Sequence, residues 1–312
     1  LAGAYWYLGR ETTLQMIAQR VASASGGSIV ITGVRGSLYG AMQMDTLVYR
    51  SPERLITAKN LDIDWSPWQY LSSGIAISKL HVASVQVDTL RESEEPVKMP
   101  VSLAPPFTLS IADARVAKVT MTNAGAKTVI DDVRFKLSGN KQKWELRDAT
   151  ALTPWGKAAA SGNIDATRPF KLDAAATLVQ TQVKAGQAPA QLSVRAGGDL
   201  VKTQVNAAGQ AGKAVGDMKL TLAPFEPVPL RALNLKGRNI NPGFFNPALP
   251  AADLSMAINA NIDPAKAISG TVDIVNDGKA GPLDQQLLPL LSMRGRLGGT
   301  LAAMQIDDVL LD

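Results

Sequence analysis

Ile75-Ala76-Ile77-Ser78-Lys79-Leu80-His81-Val82-Ala83-Ser84-Val85-Gln86-Val87 is the stretch on which the fold of this chain turns. Its apolar residues stand at Ile75, Ile77, Leu80, Val82, Val85 and Val87, so the two-residue alternation of a strand breaks twice and resumes each time. If one face of such a strand stays buried, the chain bulges or bends at each break, as a strongly curved sheet requires.

The same period surrounds it. On the N-terminal side, Leu55, Leu61, Ile63 and Trp65 read as one face of a strand and Ile56, Ala58, Asn60, Asp62 and Asp64 as the other. On the C-terminal side the alternation returns in Phe107, Leu109 and Ile111, then in Val133, Phe135 and Leu137, and again in Phe170, Leu172, Ala174, Ala176 and Leu178. Later sets are Met218, Leu220 and Leu222, then Leu254, Met256, Ile258, Ala260 and Ile262, with Gly, Pro, Asn and Ser clusters between them. Residues Met304 to Asp312 alternate as well, and the chain then stops abruptly. These runs predict antiparallel β structure throughout. One helix precedes them: Leu14, Ile17, Ala18 and Val21 fall at helical spacing, Thr12 or Thr13 can cap the start, and Gly26 and Gly27 can end it. The phrases Ser161-Gly162-Asn163-Ile164-Asp165 and Ser269-Gly270-Thr271-Val272-Asp273 read as two glycine-started strands of an internal repeat.

The chain has 312 residues, of which 46% are hydrophobic and 19% charged, a balance that fits an ordered protein and excludes a disordered polymer or a helical membrane bundle. Cysteine is absent and His81 is the sole histidine, which excludes a disulfide framework, a thiol nucleophile, an iron–sulfur cluster and a two-histidine metal site. The absence of cysteine leans toward an oxidising compartment. The net charge of +5 is spread without a run of five like charges, so no nucleic-acid footprint is present and no nucleic acid is expected as a partner. Aromatics are 5% of the chain, and alanine runs such as Ala158 to Ala160 and Ala174 to Ala176 supply little packing volume. A long sheet with a thin apolar concave face, filled by something other than protein, accounts for this composition.

Catalytic chemistry is hard to place on these residues. There is no G-x-S-x-G elbow, no H-E-x-x-H, no Walker loop and no dinucleotide fingerprint, so neither an enzyme nor a cofactor is expected. Gly209 to Val215, with Gly212 before Lys213, comes nearest to a phosphate loop, but Ala214 replaces its hydroxyl residue. Asp62 and Asp64 share one side of their strand at about 7 Å, and are read as solvated carboxylates opposite Leu61, Ile63 and Trp65. His81 falls on the polar phase with no partner nearby in sequence.

The run Ile29-Val30-Ile31-Thr32-Gly33-Val34-Arg35-Gly36-Ser37-Leu38, then Leu61-Asp62-Ile63-Asp64-Trp65-Ser66-Pro67, resembles the start of the periplasmic part of the TamB family. Asn239 to Pro250 (N-I-N-P-G-F-F-N-P-A-L-P) and Asn276 to Leu290 (N-D-G-K-A-G-P-L-D-Q-Q-L-L-P-L) resemble phrases of the same family, in the same order. The resemblance is weakest from Gln180 to Gly216. It implies an elongated, curved antiparallel β-groove with one short N-terminal amphipathic helix, anchored in the inner membrane with its bulk in the periplasm. It further implies phospholipid carried toward the outer membrane, and a TamA-like outer-membrane barrel as partner of a C-terminal region that is not in this sequence.

The expected organisation is the end of a membrane anchor over 1–8, marked by Tyr5, Trp6, Tyr7 and Arg10, and a helix over 9–26. A β-groove follows over 27–312, in sub-repeats of about 27–105, 106–235 and 236–312. Groove-facing residues are expected to be Leu61, Ile63, Ile75, Ile77, Phe107, Leu109, Phe135, Leu137, Phe170, Leu172, Met256 and Ile258, taking phospholipid acyl chains. The competing reading is a scaffold that accepts unfolded outer-membrane protein strands at an open sheet edge free of proline and lysine.

Overall fold

Leu14 and Ala18, one helical turn apart, are buried on the inner side of helix α1 (Glu11–Ala24). The structure, a computed structural model, describes residues 11–38, 40–66, 74–91, 98–183, 188–245, 249–300 and 303–312. The anchor expected over 1–8 lies outside the described residues, and none of the described helices is long and apolar enough to cross a membrane. Gly26 (φ +61°) and Gly27 (φ +83°) end α1 in left-handed conformation, with the Gly27 N–H donating to the Ala22 carbonyl at 3.0 Å. Thr12 and Thr13 sit inside the helix instead of capping it, and Thr13 is buried.

The chain divides into two compact units, one of Leu1–Pro96 with Pro100–Arg168, the other of Val97–Met99 with Pro169–Asp312. Each is an open sheet, so the fold is all-β, as the alternation predicts, with one short N-terminal helix of 14 residues.

In the first unit the strands are β1 (Ile29–Thr32), β2 (Arg35–Gly36), β3 (Met42–Arg50), β4 (Arg54–Ser66), β5 (Ile75–Thr89), β6 (Leu109–Asn123), β7 (Ala126–Gly139), β8 (Lys143–Thr153) and β9 (Gly156–Asp165). β1 and β2 both pair with β3, and from β3 onward each strand pairs with the next. All these pairings are antiparallel except one: β5 and β6 run parallel. The 19 residues between Thr89 and Leu109 carry the chain back to the starting end, which a hairpin turn cannot do. The expectation of antiparallel pairing throughout is corrected at this point.

The parallel pair explains the broken pattern of β5. Ile75, Ile77, Leu80, Val82, Val85 and Val87 pair with Leu109, Ile111, Ala114, Val116, Val119 and Met121, so the two strands break their alternation together. The offset between partners is 34 residues at every position. The register shifts between Asp64 and Trp65 opposite the first break, and Asn60 (φ +51°) stands opposite the second. Strict alternation in β4 is overturned by Asn60: its left-handed backbone turns Ala58 onto the face of Leu61, and the two are buried in one cluster with Val82.

In the second unit the strands are β10 (Leu172–Val179), β11 (Gln191–Gly198), β12 (Thr203–Ala211), β13 (Ala214–Leu222), β14 (Leu230–Ile240), β15 (Leu254–Ile262), β16 (Ile268–Asn276), β17 (Ser292–Thr300) and β18 (Ala303–Leu311). They form an antiparallel meander in chain order. The two phrases Ser161–Asp165 and Ser269–Asp273 do not correspond, because the first ends β9 and the second begins β16.

Buried polar groups fix the loops of the second unit. Asn276, 5% exposed, accepts the N–H groups of Asp253 and Gly278 and donates to the Leu290 carbonyl at 3.0 Å. It ties the loop after β16 to the loop before β15, and the Ala251 N–H donating to the Gln286 carbonyl at 2.8 Å adds a second tie. The Asn-Pro and Gly-Pro-Leu-Asp phrases are therefore neighbours at one end of this sheet.

Candidate functional site

Residues paired across a sheet point to the same side, so the register lists each face directly. In the second unit one row reads Ala176, Val194, Ala207, Met218, Leu235, Ile258, Val272 and Gly295. The next reads Ala174, Ala196, Val205, Leu220, Leu233, Ala260, Gly270, Leu297 and Ile306. No polar side chain interrupts either row across these strands. The opposite face is polar: Ala175, Arg195, Asn206, Lys219, Asn234, Asn259, Thr271 and Arg296 form one of its rows.

The apolar face spans nine strands at about 4.8 Å each and, along β15, eight residues at about 3.3 Å, or about 1,000 Å² if laid flat. The largest apolar patch of an ordinary monomer is about 300–600 Å². Met218, Leu220, Leu233, Leu235, Met256, Ile258 and Ile274 are half-buried, a level that sheet neighbours alone produce. A closed core forms at one end, where Val228 from the loop after β13 is 1% exposed and packs with Ile262 and Ile268.

The first unit has a matching face. Met44, Leu61, Val82, Val116 and Val133 form one row; Met42, Ile63, Leu80, Ala114 and Phe135 form the next; Trp65, Ile77, Ile111 and Leu137 form a third. Ile75 and Leu109 continue it. Helix α1 covers one end, with Leu14, Ala18 and Val34 packed against Ile31, Leu38, Met42 and Met44. At another margin Trp144 donates its indole N–H to the Leu103 carbonyl at 2.8 Å, and Leu103 in turn donates its N–H to the Ala166 carbonyl. The segment before β6 is thereby strapped to the ends of β8 and β9.

Of the twelve expected groove residues, Leu61, Ile63, Ile75, Ile77, Leu109, Phe135 and Leu137 share the apolar face of the first unit. Leu172, Met256 and Ile258 share that of the second. Two are corrected. Phe107 lies outside any strand, in the bend before β6, and is 37% exposed. Phe170 precedes β10 in left-handed conformation (φ +60°) and is fully buried, packed shut where no ligand reaches it. The residues that sequence reading missed are Ala114, Val116, Val119 and Met121 of β6. The constant offset of 34 from the β5 pattern was the signal that marks them.

Charged groups stand on the polar face. Asp62 pairs with Lys79, Lys136 with Asp148 at 2.7 Å, and Arg134 with Asp132 at 2.8 Å. His81 does have a partner, 32 residues away: its Nε2 lies 3.0 Å from Asp113 Oδ2, and Arg115 donates to Asp113 Oδ1 at 3.0 Å. These two hydrogen bonds, His81 first, hold the Asp113 carboxyl below the ordinary aspartate range, and Lys136 lowers Asp148 in the same way. The furrow lined by Asp217, Lys236, Arg238, Ser255 and Asp273 also lies mainly on the polar face, between charged side chains. Among the described residues no group of three or more His, Asp or Glu side chains is placed to hold a metal. Gly212 and Lys213 form the β12–β13 hairpin turn.

No family model, no curated protein and no solved structure matches this chain.

Proposed function

We propose that this chain carries lipid acyl chains along its apolar sheet faces, and that the lipid is phospholipid moving toward the outer membrane from an inner-membrane anchor, as the resemblance to the TamB family implies. The observation that carries the reading is the set of unbroken apolar rows with no covering layer among the described residues across most of their span. A water-facing surface of that size is costly, and each methylene laid on it recovers up to about 0.8 kcal/mol. Rows run across the strands, so a chain-like ligand can slide from strand to strand without meeting a polar group.

The test is mass spectrometry of lipid extracted from the protein purified in mild detergent, beside a variant with Ile63→Asp, Phe135→Asp and Met256→Asp. Stoichiometric phospholipid in the wild type that disappears in the folded variant is the expected result. A folded wild type free of lipid defeats the reading. It would turn attention to strand addition at β18, which has no proline or lysine and pairs among the described residues with β17 alone.

A further inference from the structure

We infer that helix α1 is a lid on the acyl-chain face of the first unit, displaced by lipid as it loads, an inference that rests on the reading above and adds its regulation. The helix and the ligand claim the same surface. Met44 begins the row that continues through Leu61 and Val82, and Met42 begins the row through Ile63 and Leu80. Both methionines pack against the cluster that α1 forms with Val34. An acyl chain following either row toward β3 therefore meets α1 already lying on the apolar side.

The attachment of α1 suits a part that moves. A helix end needs one left-handed residue, but here Gly26 (φ +61°) and Gly27 (φ +83°) stand in succession. A Cβ on either would meet nothing within 4 Å, so the link has room to turn. The Ser25 hydroxyl closes the link in the docked position, accepting the Ile29 N–H at 3.0 Å and donating to the Ala22 carbonyl at 2.9 Å. The closed end of the second unit is built differently. There Val228 lies between Pro227 and Pro229, two residues with fixed φ, and is a permanent plug.

The hold of α1 is also weak enough for a lipid to replace. Of its 14 residues only Thr13, Leu14 and Ala18 are buried, while Ile17 is half-buried and Met16 and Val21 are exposed. The apolar carbon it buries is that of Leu14, Ala18 and part of Ile17, so an acyl segment of roughly six to eight carbons covers as much, each methylene favouring binding by up to about fourfold. Methionine is the side chain best able to repack, and Met42 and Met44 can receive either a helix or an acyl chain. Without lipid, docked α1 keeps this end of the face from water. With lipid, the same contacts pass to the ligand.

The test is amide hydrogen exchange of the whole chain with and without dioctanoyl phosphatidylcholine below its micelle concentration, beside binding measurements on the wild type, Leu14→Ala, the milder Ile17→Ala, and Phe135→Ala on the open part of the face. In the wild type, lipid is expected to speed exchange of the α1 amides by tenfold or more and to leave β5 and β6 as they were. Leu14→Ala should bind lipid more tightly than the wild type by roughly tenfold, and Ile17→Ala by less, because the fraction of undocked helix scales the apparent affinity. Phe135→Ala should bind more weakly. Lipid that binds while α1 exchange stays unchanged or slows overturns the lid and leaves the acyl-chain reading standing. Leu14→Ala and Ile17→Ala, both folded by circular dichroism and binding no tighter than the wild type, overturn it as well. No lipid bound by any of the four proteins overturns both readings.

Discussion

Asn60, Asp132, Asp148, Asn239 and Asp308 share a backbone conformation, φ between +49° and +54°, that residues inside strands ordinarily avoid. Each sits in a strand where the ladder is irregular, at the register shifts beside Asp148, Asn239 and Asp308 for instance. Asparagine and aspartate reach this region more readily than other L residues, which lose about 1–2 kcal/mol there. Asn60→Val is therefore expected to lower stability by about 1–2 kcal/mol in urea unfolding, and Asn60→Gly by a few tenths at most. A glycine requirement of another kind holds at Gly270, where a Cβ would lie 2.0 Å from the Asn259 carbonyl oxygen. Asp113 gives a pH prediction. Its carboxyl titrates below the ordinary value in the folded chain, so its contribution is present above the unfolded pKa and is lost as pH falls through the folded one. Urea midpoints should fall with acidification in the wild type, and Asp113→Asn should reduce that acid sensitivity.

Helix α1 and the strap before β6 are elements whose removal can be read separately. Leu14 is 4% exposed against the β1–β3 end of the apolar face, and Leu14→Ala is expected to cost about 2–3 kcal/mol by urea unfolding. Trp144→Phe deletes the N–H that satisfies the Leu103 carbonyl, for about 1 kcal/mol, and should raise amide exchange at Leu103. The helix and the strands were legible because their periods, 3.6 and 2, are local properties of the chain. The two breaks in β5 were legible for the same reason, since Leu80 and Val85 fall off the phase of their predecessors. The parallel partner was not, because pairing direction is set by where the next strand lands and not by its own alternation. Phe170 was misplaced because its left-handed backbone removes it from the phase of Leu172.

At the scale of the whole chain, contacts run mainly between successive strands, so stability approximates a sum of neighbour terms. Hydrogen exchange is expected to be slowest in β5 and β6, the longest strands of the first unit and paired on both sides, and fastest in β18, whose residues are all exposed. Equal protection across both would contradict this. The parallel step also sets a rule for the first sheet's turns. In a plain meander, successive turns alternate between the two ends. The return from β5 to β6 is a pass that adds no strand among the described residues, so the alternation inverts from Leu109 onward. The turns at 51–53 and 124–125 therefore open at the same end, although three strands lie between them. The array behaves like a sequence whose parity is flipped once: a tag grafted at either turn reaches the same rim, and counting strands from the N-terminus assigns every later turn of this unit to the wrong one.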